Sequence, residues 1–463
     1  METVLIIGGG ITGLMAAYEL QKWQQQHPGK FRIRLVEASS ELGGKIATKH
    51  QSDFIIETGA DSIVTRKAAH LAVFEELGLT GKFVFNETGK SYIYRNGQLK
   101  LIPSDTVFGI PAGVESLAKS QLISAEGKVA ALKDLYTKND TFTGDHSIGE
   151  FLEYFLGEEL VAEQIKPVLS GVYSSNLSDL SINTTLPFLL DYKNKYGSII
   201  NGLEVHKEQF QADGKNKFFS FPGGLKTLIE SLEKNLTEVE ISKNCKVEQI
   251  NKKTNGYKVF FHNGEICEAK NVVIAIPSSQ AAKLFEERAI AEELASFKNK
   301  SMVSVYIGFQ LASSELPMEG TGFITADNRS GVICNACTWT SRKWKHTSLN
   351  GNLLVRLFYK SSNPHFQELI AMNEDELLAT ALTDITQSIG LNAKPMTYEF
   401  TKWTNNMPAY EMDHKIKVTH LEKKFEQEYP GLFLAGCSYY GVGIPDCIDN
   451  GIAIAEKIKS FYQ

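Results

Sequence analysis

An α/β fold is what this chain predicts, with a parallel sheet assembled from both ends of the sequence. Three observations carry the prediction. The chain opens with "VLIIGGGITGLMAAYEL" and closes with "LFLAGCSYYGVGIPDCIDNGIAIAE", each of them an apolar strand, a glycine-rich turn and a helix. The run Val272 to Ile276 is apolar throughout and stops at Pro277, as suits a strand covered on both faces of a parallel sheet. Between these pieces lie a helical stretch and a separate β-rich stretch.

The first unit is a strand from Val4 to Ile7, the turn Gly8-Gly9-Gly10-Ile11-Thr12-Gly13, and a helix with Ile11, Leu14, Met15 and Tyr18 on one face. A second strand, "RIRLVE", ends at Glu37. Gly8 permits the tight turn, Gly10 lets backbone approach a pyrophosphate, and Gly13 lets helix and strand pack closely. The helix N-terminus offers unpaired N–H groups to the anion, and Glu37 can accept from ribose hydroxyls. Gly43-Gly44-Lys45 and the strand end Ile56-Glu57-Thr58-Gly59-Ala60-Asp61 then read as further parts of a cofactor cradle.

Residues 104–214 carry helix signals, among them the capping box Ser147-x-x-Glu150. Lys193, Lys195, Lys207, Lys215 and Lys217 cluster late in and just after this stretch. Pro222-Gly223-Gly224 is a turn before a helix striped by Leu225, Leu228, Ile229 and Leu232. "CKVEQI", "GYKVFF" and "EICEAKNVVIAIP" form a meander, with a type I′ turn expected at Asn263-Gly264. Residues 300–400 hold several strands and a helix from Asp375 to Ile389. The closing strand "GLFLAG" leads to the Gly441-Val442-Gly443 turn and a helix whose apolar face is Ile448, Ile452, Ala455 and Ile458.

Two glycine turns at opposite ends of the chain, returned to one sheet, can hold two parts of one long cofactor. FAD in an extended pose meets that requirement. The expected architecture is therefore a discontinuous Rossmann-like FAD-binding domain (1–70, 215–285 and 399–463), a mixed-sheet substrate domain (71–103 and 286–398) and an inserted helical domain (104–214).

Bulk composition narrows the rest. A formal net charge of -6 gives no field for nucleic acid. No apolar run reaches the roughly 18 residues of a membrane span, and a strand beginning at "TVLII" leaves no room for a signal peptide, so the cytoplasm is expected. Six cysteines do not make a disulfide framework in 463 residues. The one CxxC, Cys334 and Cys337, has neither a second CxxC nor a histidine pair at ligand spacing, so no metal is expected. No Ser/His/acid set, and no paired carboxylates with an evident role, stand out. No second strand-GxGxxG-helix unit is present for a nicotinamide. A catalytic side chain is not identified, and the flavin is expected to carry the chemistry.

The arrangement resembles the flavin amine oxidase superfamily. Within it, "GGGITGL", "VEAS", "GGKI", "GADS…RK", "LSGVY", "ACTWT", "W…MPAY" and "GVGIPDCIDNG" are similar to the protoporphyrinogen/coproporphyrinogen oxidases, most of all to the Gram-positive coproporphyrinogen III oxidases. The likeness spans nearly the whole chain. It implies that Gly8, Gly9, Gly10, Ile11, Thr12 and Gly13 hold the pyrophosphate and that Glu37 and Ala38 meet the adenosine ribose. Gly44, Lys45, Gly59, Ala60, Asp61 and Ser62 would line the flavin, and Val247 would meet the adenine. Trp403 would pack near the ring system, and Gly443, Ile444 and Pro445 would close the far end. Arg66 and Lys67 stand where the family has a basic residue facing a substrate carboxylate, and Val172 matches an apolar pocket position. Lys193 and Lys195 would give a second basic edge if the helical insert folds over the mouth. One departure is Cys437, where many flavin enzymes carry an acid.

The activity so implied is six-electron oxidation of coproporphyrinogen III to coproporphyrin III, with oxygen as acceptor, hydrogen peroxide released, and a place in haem biosynthesis. Protoporphyrinogen IX as substrate is the nearest alternative. Another oxidase on this fold, and a tetrapyrrole-binding flavoprotein without turnover, are more distant ones. A transient hand-off to a ferrochelatase and a peripheral membrane contact through the helical insert are compatible with the resemblance.

Overall fold

The structure, a computed structural model, describes all 463 residues except 70, 88, 174–175, 211–215 and 327–330. Its centre is a five-stranded parallel sheet in the order Val239–Ser242, Phe31–Val36, Glu2–Ile7, Asn271–Ile274, Leu432–Leu434. Residues from the beginning, middle and end of the chain thus lie side by side, as the two glycine-rich termini require. The helices Ile11–Gln26 and Ile444–Lys459 follow the first and last strands and pack on each other. Gly451 allows that close approach, because a Cβ there would come within 2.7 Å of the Met15 Cβ and the Thr12 carbonyl oxygen. The antiparallel meander Val247–Lys253, Gly256–Phe261, Ile266–Ala269 covers the other face.

The hairpin at Asn263-Gly264 differs from the expected type I′ turn. Only Gly264 takes positive φ, +83°. Its N–H donates to the Phe261 carbonyl at 3.0 Å, and the Phe261 N–H donates to the Glu265 carbonyl at 3.0 Å. That pattern is a three-residue loop with glycine at the left-handed position. It spares Asn263 the cost of positive φ.

The second sheet has seven strands in the order Pro395–Pro408, Asn299–Ala312, Asn352–Lys360, Ala336–Thr338, Gly322–Thr325, Tyr92–Arg95, Gln98–Leu101. Its first strand runs through the domain boundary expected at 398/399, pairing with Asn299–Ala312 along its length. Position 398/399 therefore lies inside one strand of this ladder. The helix Glu374–Ile389 lies on this sheet, started by an Asn373/Glu376 capping box. Buried Asp384 fastens it, accepting from the Ile333 and Cys334 N–H groups and the Tyr359 hydroxyl at 2.7, 2.8 and 3.0 Å. Cys334 and Cys337 are buried in the same core.

The helical insert has its own apolar core, drawn from residues 107–203 and including Phe151, Phe155, Ile165 and Leu189. The Ser147 half of the expected capping box forms, with its hydroxyl accepting from the Gly149 and Glu150 N–H groups.

Candidate functional site

The carboxyl ends of the parallel strands open into a cavity of about 600 Å³. Both termini of the chain wall it, through Gly8, Gly10, Ile11 and Thr12 on one side and Gly436, Cys437, Ile444 and Cys447 on the other. Glu37, Ala38 and Val247 line it, as do Gly44, Lys45 and Ala60, and Trp403 reaches it from the second sheet.

Three of the four glycines in the N-terminal turn, Gly8, Gly10 and Gly13, have separate physical reasons. A Cβ on Gly8 would come within 2.6 Å of the Ala275 carbonyl oxygen, and a Cβ on Gly13 would overlap the Gly8 carbonyl oxygen. A Cβ on Gly10 meets nothing within 4 Å. Gly10 therefore borders open space that a side chain would fill, which is the form of a cradle for a group brought close to backbone.

Glu37 is fixed from both sides. One carboxylate oxygen accepts from the Gly9 N–H at 2.8 Å, and the other accepts from the Ser39 N–H and hydroxyl at 2.8 and 2.9 Å. Lone pairs remain for further donors. The second bend is tied to the first, with the Gly43 N–H donating to the Gly9 carbonyl at 2.8 Å and the Ala60 N–H to the Lys45 carbonyl at 2.9 Å. Beneath it, buried Glu57 accepts from the Leu225 N–H and the Thr48 hydroxyl, and burial pushes its carboxyl up to about 7.

Gly9, Gly13, Gly59, Asp61, Ser62, Gly443 and Pro445 do not themselves line the cavity. They support it. Burial would raise the Asp61 carboxyl, but Lys343 and Arg356 outweigh burial and hold it at about 2. Buried Arg356 also donates to the Gly59 carbonyl at 3.1 Å. Gly443 is the N-cap of the last helix, and its N–H donates to Asp446 at 3.2 Å. The Trp403 indole donates to the Thr58 carbonyl at 3.2 Å, joining the second sheet to the Gly59 segment. Tyr410 braces the C-terminal turn, donating to the Cys437 carbonyl at 2.7 Å while accepting from the Gly441 N–H at 2.6 Å. Its ring stacks on His414 at 3.8 Å, so His414 has a structural role.

The candidate substrate residues fare differently. Lys67 is half-exposed and pairs with Asp446 of the closing turn at 2.8 Å. Arg66 lies over the Phe210 ring of the helical insert at 5.9 Å. The Val172 side chain lies outside the described residues, and so does Lys215. Lys193 is corrected. An arrangement in which it faces a substrate is excluded by its full burial within the insert, where it pairs with Asp134 at 2.8 Å and donates to the Asp134 and Gly197 carbonyls. A side chain on an inward helix face cannot also serve a mouth.

Sequence reading missed several groups. Lys246, Lys283, Gln280 and Asn406 line the cavity, and no motif marks them. Lys360 ends the strand Asn352–Lys360, and its ammonium donates to the Ser170 and Gly171 carbonyls at 2.8 and 3.4 Å. Burial lowers it to about 8. Met302 pairs in register with both Trp403 and Lys360, so the three form one row on one face of the sheet. That row runs from the cavity toward the helical insert.

The chain matches the model of the flavin containing amine oxidoreductase family over residues 11–459. It is 33% identical to the coproporphyrinogen III oxidase of Bacillus subtilis (strain 168), covering 99% of this chain and 98% of the relative. It is 30% identical to the protein of that name from Staphylococcus aureus (strain NCTC 8325 / PS 47), covering 99% of each. A crystal structure from Exiguobacterium sp. 255-15, provisionally named a protoporphyrinogen oxidase, superposes with a TM-score of 0.89 at 31% identity, again over 99% of each chain.

Proposed function

Since the chain belongs to the flavin containing amine oxidoreductase family, we propose that it is an FAD-dependent oxidase of coproporphyrinogen III, forming coproporphyrin III in the cytoplasm with oxygen as acceptor and hydrogen peroxide as by-product. The observation that carries the reading is the single cavity walled by both glycine turns, with a fixed carboxylate, Glu37, on its wall. A mononucleotide would leave one turn idle. FAD would use both.

Gly8 to Thr12 would receive the pyrophosphate at the helix N-terminus, Glu37 the adenosine ribose, and the Val247 backbone the adenine. Lys45, Ala60, Trp403 and Ile444 would enclose the flavin end. When bound, the flavin would supply hydride acceptance and transfer to oxygen. The chain's part is to bind, orient and exclude water. No side chain is assigned as a base.

A tetracarboxylate substrate needs cations, or access to water, at its periphery, because an unpaired buried carboxylate costs several kcal/mol. Lys360 supports the reading, being a cation whose recorded partners are backbone carbonyls rather than an acid. Lys67 adds a second, exchangeable cation at the edge of the last helix. Protoporphyrinogen IX is the second reading, favoured by the name attached to the Exiguobacterium structure. The test is the ratio of kcat/KM values for the two porphyrinogens. Preference for coproporphyrinogen by about tenfold or more supports the assignment, and the same preference for protoporphyrinogen overturns it. Acid precipitation should release all the flavin, identified as FAD.

A further inference from the structure

Of the chain's six cysteines, Cys437 and Cys447 stand apart, and the functional reading above uses neither. Both line the cofactor cavity. Cys437 sits in the turn after the last parallel strand. Cys447 sits in the first turn of the 16-residue helix that follows, and each thiol is the strongest influence on the other's ionisation. The Lys45 ammonium lies 3.6 Å from the Cys437 sulfur. The Cys447 thiol is 3.5 Å from the Gly441 carbonyl oxygen.

The electrostatics separate the two sulfurs. The neighbouring Cys447 thiol and the charge of Lys45 outweigh burial and lower the Cys437 thiol below its ordinary range. Tyr410, Tyr439 and Asp446 also face this corner, and the two phenols are pushed up by burial and stay neutral. Cys447 is driven the other way. The remaining four, Cys245, Cys267, Cys334 and Cys337, are buried, and burial raises each of them. A thiolate nucleophile thus stands beside a protonated resolving thiol, while the other cysteines are inert.

We propose that Cys437 and Cys447 form a peroxide-responsive dithiol in the wall of the cofactor cavity, oxidised to a disulfide while the cavity is free of its dinucleotide and shielded once it is filled. The Cys437 thiolate attacks one oxygen of hydrogen peroxide. The O–O bond breaks, hydroxide leaves, and a sulfenic acid remains on Cys437. The Cys447 thiol gives up its proton and attacks the Cys437 sulfur. The S–O bond breaks, the second oxygen leaves as water, and the S–S bond forms. Two sulfurs are oxidised by one electron each, and one peroxide is reduced by two.

Under the oxidase reading the peroxide is the chain's own by-product. The chemistry needs only peroxide, so adding it directly tests the dithiol whether or not that reading stands. A dinucleotide filling the cavity would cover both sulfurs, since both line its wall, and would bar peroxide from the Cys437 thiolate. A chain without its cofactor, in the presence of peroxide, becomes marked at the cofactor site.

The experiment treats the full chain, as flavin-loaded holoprotein and after flavin removal, with hydrogen peroxide at fixed pH, and follows mass and peptide maps. The flavin-free chain should lose about 2 Da with a Cys437–Cys447 linkage, and added FAD should slow this by about tenfold or more. Cys447→Ser should stop at a dimedone-reactive sulfenic acid on Cys437, and Cys437→Ser should form neither product. Near-native thermal unfolding of the untreated variants shows that they are folded. Oxidation confined to other cysteines, a linkage formed equally fast with FAD bound, or unchanged disulfide formation in either variant would overturn the proposal.

Discussion

Gly10 and Gly13 belong to one motif and do different work. Gly13 is packed, since a Cβ there overlaps the Gly8 carbonyl oxygen, whereas a Cβ on Gly10 points into open cavity. Gly10→Val should therefore give a folded protein without bound flavin, read as near-native thermal unfolding with no yellow colour. Gly13→Ala should destabilise the chain itself, by about 1–3 kcal/mol as overpacking does. Full flavin occupancy in folded Gly10→Val would contradict the cradle. Asp61 gives a pH prediction. Its carboxyl titrates near 3.8 when unfolded and at about 2 when folded, so its stabilising contribution is complete above the unfolded value and lost as pH falls through the folded one. Asp61→Asn should cost ~1–2 kcal/mol at neutral pH, and the gap from wild type should close between about pH 4 and pH 2. Equal gaps at both ends of that window would remove Lys343 and Arg356 from the account. Lys67→Gln should lower kcat/KM for the tetracarboxylate substrate with flavin content unchanged. Glutamine is the cleaner change, because glutamate would set two acids together at Asp446.

At the scale of elements, legibility followed the range of the interactions involved. The opening βαβ unit was readable because its glycines, apolar stripe and terminal acid act on neighbours within a few tens of residues. Glu37 met the Gly9 N–H as its position at the strand end required. Lys193 was misplaced because its partner, Asp134, lies 59 residues away, and no local pattern announces a buried pair. Lys360 went unnoticed for the same reason, since the carbonyls it caps belong to another domain. The strand Pro395–Pro408 runs across the expected 398/399 boundary, and its sequence carries no mark of which sheet it joins. The Lys193–Asp134 pair makes a direct test. Both side chains are fully buried, so Asp134→Ala should cost about 3–5 kcal/mol by stranding the ammonium. Flavin content should hold below the new melting point, because the insert has its own core. A loss under ~1 kcal/mol would contradict the burial.

For the whole molecule, the discontinuous fold is the functional device. The cofactor cavity exists only when the two chain ends share one sheet, and the Trp403–Met302–Lys360 row links that cavity to the helical insert. Among the described residues no helix is long and apolar enough to cross a membrane. The general plan could be read from the sequence because both glycine turns are local signals. The cavity's inner wall at Lys246, Lys283 and Asn406 could not, because those residues meet only after the sheet closes. The most direct measurement of the central claim is porphyrin fluorescence and peroxide yield when purified, flavin-loaded protein meets coproporphyrinogen III in air. The account predicts many turnovers per flavin, with three peroxides for each porphyrin formed. Fluorescence no faster than the uncatalysed background, or binding without turnover, would contradict it.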